Sequence, residues 1–189
     1  MASGPGRTRA RVALRPLRST DRDAVRRWMA DFDVIGFTVV VPGPEYGPVE
    51  PYETEAADRY LHMLMTEPDR RSYAITVDGE HVGNVGLKHI DRRRRCAECF
   101  IEIGEVSRRR QGIGAQAMAA VLEVAFREQR LDYVRLGVFE FNDAAIALYQ
   151  KFGFVFDGSL GDHWVDGRVY AVRAMRLDAT TWRARLARN

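Results

Sequence analysis

A glycine-rich turn flanked by cations is the stretch of this sequence best suited to chemistry on a phosphorylated group. Arg109, Arg110 and Gln111 precede Gly112-Ile113-Gly114, and an alanine-rich segment typical of a helix follows from Ala115. The first N–H groups of a helix have no partner inside the helix and lie at the positive end of its dipole, so they suit phosphate oxygens. The turn therefore predicts a binding site for a phosphorylated cofactor.

Other interpretations of the turn stay open on this stretch alone. Gly112-x-Gly114-x-x-Ala117 also fits the loose dinucleotide fingerprint, with Glu140 ending the next strand. A nicotinamide-binding fold would carry that fingerprint on its first strand, whereas this turn lies in the second half of the chain. The sequence contains no G-x-x-x-x-G-K-[ST] loop, which argues against nucleotide hydrolysis. The simplest alternative is a turn that only begins a helix.

The turn must be positioned by a strand before it and a helix after it, and both patterns are present. In the strand pattern that ends at Ile103, apolar residues alternate with Glu98, Phe100 and Glu102, which is typical of a strand with one acidic face. Tyr133–Val138 is typical of a further strand. The remaining predicted elements are strands at 11–17, 72–77, 80–89, 154–158 and 168–177, a helix beginning near residue 20 and a helix at 53–65.

A second motif follows the Tyr133–Val138 strand. Residues 142–154 have the sequence N-D-A-A-I-A-L-Y-Q-K-F-G-F, and residues 109–114 have the sequence R-R-Q-G-I-G. The first resembles the N-x-x-A-x-x-L-Y-x-K-x-G-F run of the GNAT superfamily of N-acetyltransferases, and the second resembles its [RQ]-x-x-G-x-[GA] pyrophosphate loop. The opening Leu14-Arg15-Pro16-Leu17, followed by an acidic helix start, resembles the branch that contains the ribosomal-protein RimJ/RimL enzymes.

The resemblance implies both the fold and the cofactor. The expected fold is α/β (α+β), a GNAT-type mixed, mostly antiparallel twisted sheet with helices on both faces and a central parallel strand pair. Acetyl-CoA would bind where the strand ending at Ile103 splays from the strand ending at Val138. Asn142 is also an expected helix N-cap. The implied cofactor-binding residues are Ile103, Arg109, Arg110, Gln111, Gly112, Ile113, Gly114, Ala115 and Asn142.

Acetyl transfer to an amine needs a group that accepts the ammonium proton and a group that protonates the departing thiolate. Glu98 is the first choice as base, because some family members place their carboxylate on this strand. Glu102 lies on the same strand face and is the second choice, while pairing with arginines would explain both carboxylates without catalysis. Tyr149 matches the family's leaving-group tyrosine and is predicted to be the acid; the alternative is a core aromatic. Direct transfer is expected because Cys99 is predicted to be buried.

The acceptor is predicted to be a small cationic primary amine, such as an amino sugar, an aminoglycoside or a polyamine. Phe37 and Tyr46 stand in a loop rich in glycine and proline, and Trp164 stands in a late hairpin; with Glu98 they are the predicted substrate-binding residues. Asp31 and Asp33 add acidic charge near that loop. A protein N-terminus as acceptor, and a non-catalytic acyl-CoA-binding sensor, stay open as alternatives.

Length and composition fit one compact domain. The chain has 189 residues, of which 46% are hydrophobic, and we expect a leader at 1–10, a single N-acetyltransferase domain at 11–178 and a tail at 179–189. No apolar run approaches about 18 residues and no secretory signal is evident, so neither a membrane partner nor export is expected. Cys96-x-x-Cys99 has no second pair, which predicts no metal site and a reducing, cytoplasmic location.

The charge pattern gives no sign of a nucleic-acid partner. The net charge is only +3, and the run Arg92–Arg95 has no interleaved aromatic residues on which bases could stack. A solvated loop is the favoured interpretation of that run, with contact to a ribose phosphate of coenzyme A as the alternative. A homodimer is left open.

Overall fold

The computed structural model describes residues 11–36, 53–165 and 168–188, with side chains up to His163 and again from Arg168. The strands of this part are β1 (Val12–Pro16), β2 (Arg71–Val77), β3 (Glu80–Asp91), β4 (Cys96–Ile103), β5 (Tyr133–Phe139), β6 (Val155–Val165) and β7 (Arg168–Asp178). Its α-helices are α1 (Arg22–Met29), α2 (Phe32–Ile35), α3 (Thr54–Thr66), α4 (Ile113–Glu123), α5 (Asp143–Phe152) and α6 (Ala179–Leu186).

The described strands form one mixed sheet in the order β1-β2-β3-β4-β5-β7-β6. β4 and β5 are parallel, and the other neighbouring pairs are antiparallel. The predicted strands at 72–77 and 80–89 pair as a hairpin: Asp78 and Gly79 between them have φ values of 52° and 88°, which suits the twist of a two-residue turn. The expected mostly antiparallel sheet with one central parallel pair is therefore confirmed.

Helices cover both faces of the sheet, as expected. On one face, α4 buries Ala117, Met118 and Val121 in a core that also contains Tyr149 and Trp182. On the other face, the buried residues of α1, α2 and α3 form a second core that includes Val25, Trp28, Val34, Ala57 and Leu61. None of the described helices combines the length and the apolar content that crossing a lipid bilayer requires.

The central parallel pair separates soon after it begins. Cys96–Glu98 pair with Tyr133–Arg135, whereas β4 stays paired with β3 as far as Ile103 and β5 stays paired with β7 as far as Phe139. The facing edges of the two strands beyond that point therefore lie apart. This is the gap that the family resemblance implies.

β3 carries a bulge close to this gap. Ile75 pairs with Gly83, and Thr76 pairs with His81, so Val82 is an extra residue on β3. Such a residue shifts the alternation of side chains along a strand and bends it. A Cβ atom at Gly83 would overlap the main-chain carbonyl of Glu102 on β4, so only glycine allows the two backbones to approach this closely.

Candidate active site

A cleft of about 430 Å³ opens at the gap between β4 and β5. The end of β4, the turn after it and the facing sides of α4 and α5 form its walls. It brings together nearly all residues predicted for the cofactor and for the chemistry: Glu102, Ile103, Arg109, Arg110, Gly112, Ile113, Gly114, Ala115, Asn142 and Tyr149. Val34, Ile101, Arg108, Ala144, Ala145 and Leu148 complete the lining.

The glycine turn presents the start of α4 to this cleft. Gly112 is the N-cap of α4 and has a φ of 77°, a backbone conformation that side chains other than glycine adopt only under strain. Gln116 N donates to Gly112 O over 3.2 Å, which closes the first helical turn. The N–H groups of residues 113–115 therefore have no acceptor inside the helix. Their position at the cleft suits an anion such as a pyrophosphate.

Gly114 leaves open space beside that anion site. A Cβ atom there would lie 3.5 Å from Leu148 Cδ2 and 3.8 Å from Ile101 Cδ1, which are ordinary van der Waals contacts. Nothing in the packing of the described residues therefore requires a glycine. Leu148 and Ile101 both line the cleft, so a larger side chain would occupy space that a ligand needs.

Arg109 connects the turn to the end of β4 and to α2 by hydrogen bonds to main-chain carbonyl groups. Its Nε and Nη2 donate to Ile103 O over 3.2 and 3.1 Å, and its Nη1 donates to Asp33 O over 2.9 Å. Burial lowers the pKa of Arg109, while the charges of Asp33 and Asp31 oppose that shift. These contacts fix the turn against the end of β4 and the start of α2. Direct binding of phosphate by Arg109 stays a prediction.

Gln111 makes its contact inside the turn. Its Nε2 donates to Ser107 O over 3.1 Å, and Gln111 is absent from the described lining of the cleft. The side chain of Arg110 is exposed, and its φ of 60° is left-handed. Arg110 lines the cleft, whereas the predicted role of Gln111 at the cofactor rests on the family motif alone.

Tyr149 is a core aromatic residue that also lines the cleft, and its role as an acid stays a prediction. The residue is 7% exposed and packs against Phe154 with ring centroids 5.8 Å apart, yet it lines the cleft. Burial raises the pKa of Tyr149, and the nearby Cys99 thiol adds to the shift. The phenol is therefore protonated at neutral pH, as a proton donor must be.

Asn142 acts as N-cap of α5: its Oδ1 accepts from Ala145 N over 3.2 Å.

Glu102 is a buried carboxylate on the cleft wall. It is 6% exposed and pairs across the sheet with Asn84, whose Nδ2 donates to Oε1 over 3.4 Å. Among the residues that the structure describes, Glu102 Oε2 has no hydrogen-bond partner. Burial raises the pKa of Glu102 to about 7, against the opposing effects of Asn84 and the Arg109 charge. A carboxylate that titrates near neutral pH suits a general base.

Glu98 has a different environment. Its carboxylate lies 2.6 Å from Lys88 Nζ and 3.4 Å from His89 Nδ1, and Glu98 is absent from the described cleft lining. Glu98 is thus placed beside a lysine and a histidine and not beside the arginines that the sequence suggested as partners. The geometry favours Glu102 over Glu98 as base, which reverses the order of preference from the sequence.

The predicted acceptor wall is only partly described. Phe37 and Tyr46 lie outside the described residues, and so does the side chain of Trp164. Asp31 caps α2, where its Oδ1 accepts from Asp33 N over 2.9 Å. The structure adds residues that the sequence did not single out, above all Asn84 and His81. The glycine at position 83, inside a predicted strand, was the one local sign of the bulge that brings them together.

Comparison with known proteins identifies the family of the chain. The family model described as an acetyltransferase (GNAT) domain matches residues 11–155. An L-amino acid N-acetyltransferase, AaaT, of Escherichia coli (strain K12) is 27% identical over 163 residues, which are 86% of this chain and 90% of that protein. A spermidine N(1)-acetyltransferase of the same strain is 32% identical over 113 residues, which are 59% of this chain and 60% of that protein.

A solved structure shares the fold. Spermidine N-acetyltransferase from Vibrio cholerae, in complex with CoA and spermine, superposes with a TM-score of 0.77. The two sequences are 21% identical, and the match covers 90% of this chain and 97% of the other. The sheet with its one parallel pair is thus the GNAT fold.

Gly114→Val should weaken acetyl-CoA binding by about tenfold or more, because the added side chain fills the space between Leu148 and Ile101 that the cofactor needs. A Cβ atom meets no close contact there, so the loss of affinity should be larger than any loss in the free energy of unfolding. Titration calorimetry with acetyl-CoA and a thermal melt measure the two effects. Ala119→Val, on the exposed side of the same helix, is the matched control; equal loss of affinity in both variants would contradict the placement of the cofactor.

Proposed function

The chain belongs to the acetyltransferase (GNAT) family, and from that premise we propose that it transfers an acetyl group from acetyl-CoA directly to the primary amine of a small cationic molecule. One observation carries the proposal. Glu102, with a pKa of about 7, and the protonated phenol of Tyr149 line the same cleft as the anion-binding start of α4. A base, an acid and a cofactor site are thereby within one cavity.

The roles of the side chains follow from their protonation states. Acetyl-CoA supplies an activated thioester, whose C–S bond is replaced by a C–N bond to the amine. Glu102 Oε2 accepts the proton that the ammonium group must lose through a water molecule, because this oxygen is itself buried. Tyr149 donates its proton to the departing sulfur. Main-chain N–H groups of the separated strands polarise the acetyl carbonyl.

Direct transfer is preferred over an acetyl-enzyme intermediate. Cys99 is buried, and burial raises the pKa of its thiol to about 12. Since the thiolate is the nucleophilic form, Cys99 is unreactive at neutral pH. Cys96 precedes the separation of β4 from β5 and is absent from the described cleft lining.

A polyamine is the proposed acceptor. Glu102 on the cleft wall and Asp31 and Asp33 beside Arg109 add acidic charge to the side of the sheet where the amine would enter. The name of one relative, a spermidine N(1)-acetyltransferase, agrees with this charge. An L-amino acid is the second candidate, because the relative of that name matches more of the chain. The reported relatives give no support to the RimJ/RimL branch expected from the sequence.

Two alternatives from other classes carry less support. Acetylation of a protein N-terminus rested on the RimJ/RimL resemblance of the opening residues. A non-catalytic acyl-CoA sensor would have no need of Glu102 and Tyr149 in one cleft. We also propose a cytoplasmic location, which fits the free thiols of Cys96 and Cys99; a homodimer stays a prediction.

Thiol release from acetyl-CoA, measured with a panel of amines, tests the proposed acceptor. We expect spermidine to be acetylated with a kcat/KM at least about tenfold above that of an L-amino acid, an amino sugar or a short peptide with a free N-terminus, because attraction between opposite charges lowers the free energy of binding. Turnover of the peptide alone would replace the proposal by N-terminal acetylation. Binding of acetyl-CoA with no release for any amine would identify a sensor.

Tyr149→Phe should lower kcat by about a hundredfold, because general acid catalysis contributes roughly that much or more. Binding of acetyl-CoA should persist, since the ring that packs against Phe154 is retained. Steady-state kinetics and calorimetry measure both. Tyr133→Phe is the matched control, because Tyr133 lies on β5 under the Arg176 guanidinium, 3.9 Å from the ring centroid. A variant Tyr149→Phe with unchanged kcat would remove the acid role.

Glu102→Gln should lower kcat/KM by about a hundredfold and abolish its fall below about pH 7, which we attribute to protonation of the base. The fall of kcat/KM below about pH 7 is the acid limb of the pH profile. Glu98→Gln should leave this acid limb unchanged. A profile of kcat/KM from pH 5.5 to 9 decides between the two carboxylates. If Glu98→Gln removes the acid limb of kcat/KM and Glu102→Gln does not, Glu98 is the base.

Stability provides the control for folding in the Glu102 variant. The folded-state pKa of Glu102 is raised from an ordinary 4.5 to about 7, so its contribution to stability is complete below pH 4.5 and is lost as the pH rises through 7. Glutamine does not ionise. The variant should therefore gain stability relative to the wild type above pH 7, by at most about 3 kcal/mol.

A further inference from the structure

A line of polar side chains runs from β1 to the cleft. Arg15 holds Asp21 through two hydrogen bonds, of 2.8 and 2.7 Å. Asp21 Oδ1 lies 3.3 Å from His81 Nδ1, and His81 Nε2 lies 3.0 Å from Asn84 Oδ1. Asn84 Nδ2 then donates to Glu102 Oε1. Asp21, Asn84 and Glu102 are 4%, 0% and 6% exposed, so this line of side chains lies almost wholly inside the protein.

The bulge in β3 makes the line possible. In a regular strand, residues three apart point to opposite faces of the sheet. The extra residue Val82 shifts the alternation by one, so His81 and Asn84 lie on the same face. Asn84 then stands directly across from Glu102 in the β3–β4 register.

The Gly83 carbonyl fixes which way the Asn84 amide points. His81 Nε2 lies 3.0 Å from Gly83 O as well as from Asn84 Oδ1. A main-chain carbonyl can only accept, so Nε2 must carry the hydrogen. The group of Asn84 that faces His81 must then be its oxygen, and its NH₂ group must face Glu102.

We propose that Asn84, held in this orientation by His81, is a positioning residue for Glu102: it donates to Oε1 and leaves Oε2 to accept the proton of the amine. This rests on the proposed role of Glu102 as base. A donor to one carboxylate oxygen favours the charged form. The Asn84 hydrogen bond thereby keeps a deeply buried acid able to ionise near neutral pH.

The charge of His81 does not alter this orientation. Burial lowers the pKa of His81, while its hydrogen bond with Asn84 and the charge of Asp21 oppose the shift. The neutral ring with its hydrogen on Nε2 and the imidazolium both donate to Asn84. Arg15 and Asp21 are the charged groups that act on His81.

Within the described residues, Arg109 is the charged group that acts on Glu102. Arg109 favours ionisation of the carboxylate, and Asp31 and Asp33 act on Arg109 in turn. Substitution of Asn84 or His81 does not change these three charged residues. A change in the titration of Glu102 can therefore be traced to the lost hydrogen bond.

Asn84→Leu and His81→Leu test the proposal by the pH dependence of kcat/KM for the amine. We expect both to move the acid limb upward by about one pH unit and to lower kcat/KM at pH 7 by up to about tenfold, with the KM for acetyl-CoA within about twofold. His81→Gln should restore most of the difference, because its amide can donate to Asn84. His62→Leu, at an exposed site on α3, is the control.

Titration of the Glu102 side-chain carbon by ¹³C NMR, in the enzyme without amine, gives a second measurement. An apparent pKa raised by about one unit in either leucine variant supports the proposal. Should one leucine variant not fold, the pKa of Glu102 in the other leucine variant is compared with that in His81→Gln and in the wild type, and this comparison still tests the proposal. Unchanged Glu102 titration and an unchanged acid limb in folded variants would overturn it.

The two proposals fail in different ways. If Glu102→Gln keeps the acid limb, Glu102 is not the base and the proposed function loses its central group. If Glu102→Gln removes the limb while the Asn84 and His81 variants leave it unmoved, Glu102 is the base but needs no positioning by Asn84.

Discussion

The separation of β4 from β5 is the constraint on which the rest of the site depends. In an unbroken sheet, Glu102 and Tyr149 could not share a cavity, because they belong to opposite faces. Tyr149 packs in the core on the face that α4 covers, whereas the side chain of Glu102 alternates with the β4 side chains that face α4. The parallel pairing lasts for only three residue pairs, and each strand keeps its other neighbour. The gap thus connects the two faces without unravelling the sheet. The start of α4 opens onto the same gap, so an anion held there lies beside groups from both faces.

Burial of a carboxylate at this gap lowers the free energy of unfolding of the fold. An unpaired charge in an apolar interior is unstable, and its pKa rises until it becomes neutral. Here the shift stops at about 7, since Asn84 and Arg109 both favour the charged form. Asn84 in turn satisfies its oxygen with His81. A fully apolar wall would be more stable but could not exchange a proton near neutral pH, which is a trade of stability for activity.

The sequence was informative wherever chemistry depends on local spacing. The turn at 109–114, the N-cap Asn142 and the cleft position of Tyr149 lie within motifs of about a dozen residues, so their relative placement needs only a strand, a turn and a helix. Which of Glu98 and Glu102 lines the cleft could not be predicted in this way, because strand periodicity gives both the same face. Their environments differ through cross-strand partners: Lys88 lies opposite Glu98, and Asn84 lies opposite Glu102. Register is a long-range property, and the bulge that aligns His81 with Asn84 appears only once β2 and β3 are paired.

The electrostatics of the cleft link the choice of acceptor to the state of the base. Burial raises the pKa of Glu102 to about 7, so this carboxylate titrates near neutral pH. A cation within about 4–6 Å lowers the pKa of a carboxylate by roughly 1–3 units, so a cationic amine close to Glu102 would itself favour the ionised form that the proposed base requires. A zwitterionic amine carries a compensating carboxylate and would do so less. In the proposed function, binding of a polycation and ionisation of Glu102 are therefore two results of one interaction, which is a physical reason for a buried acid to serve a positively charged acceptor.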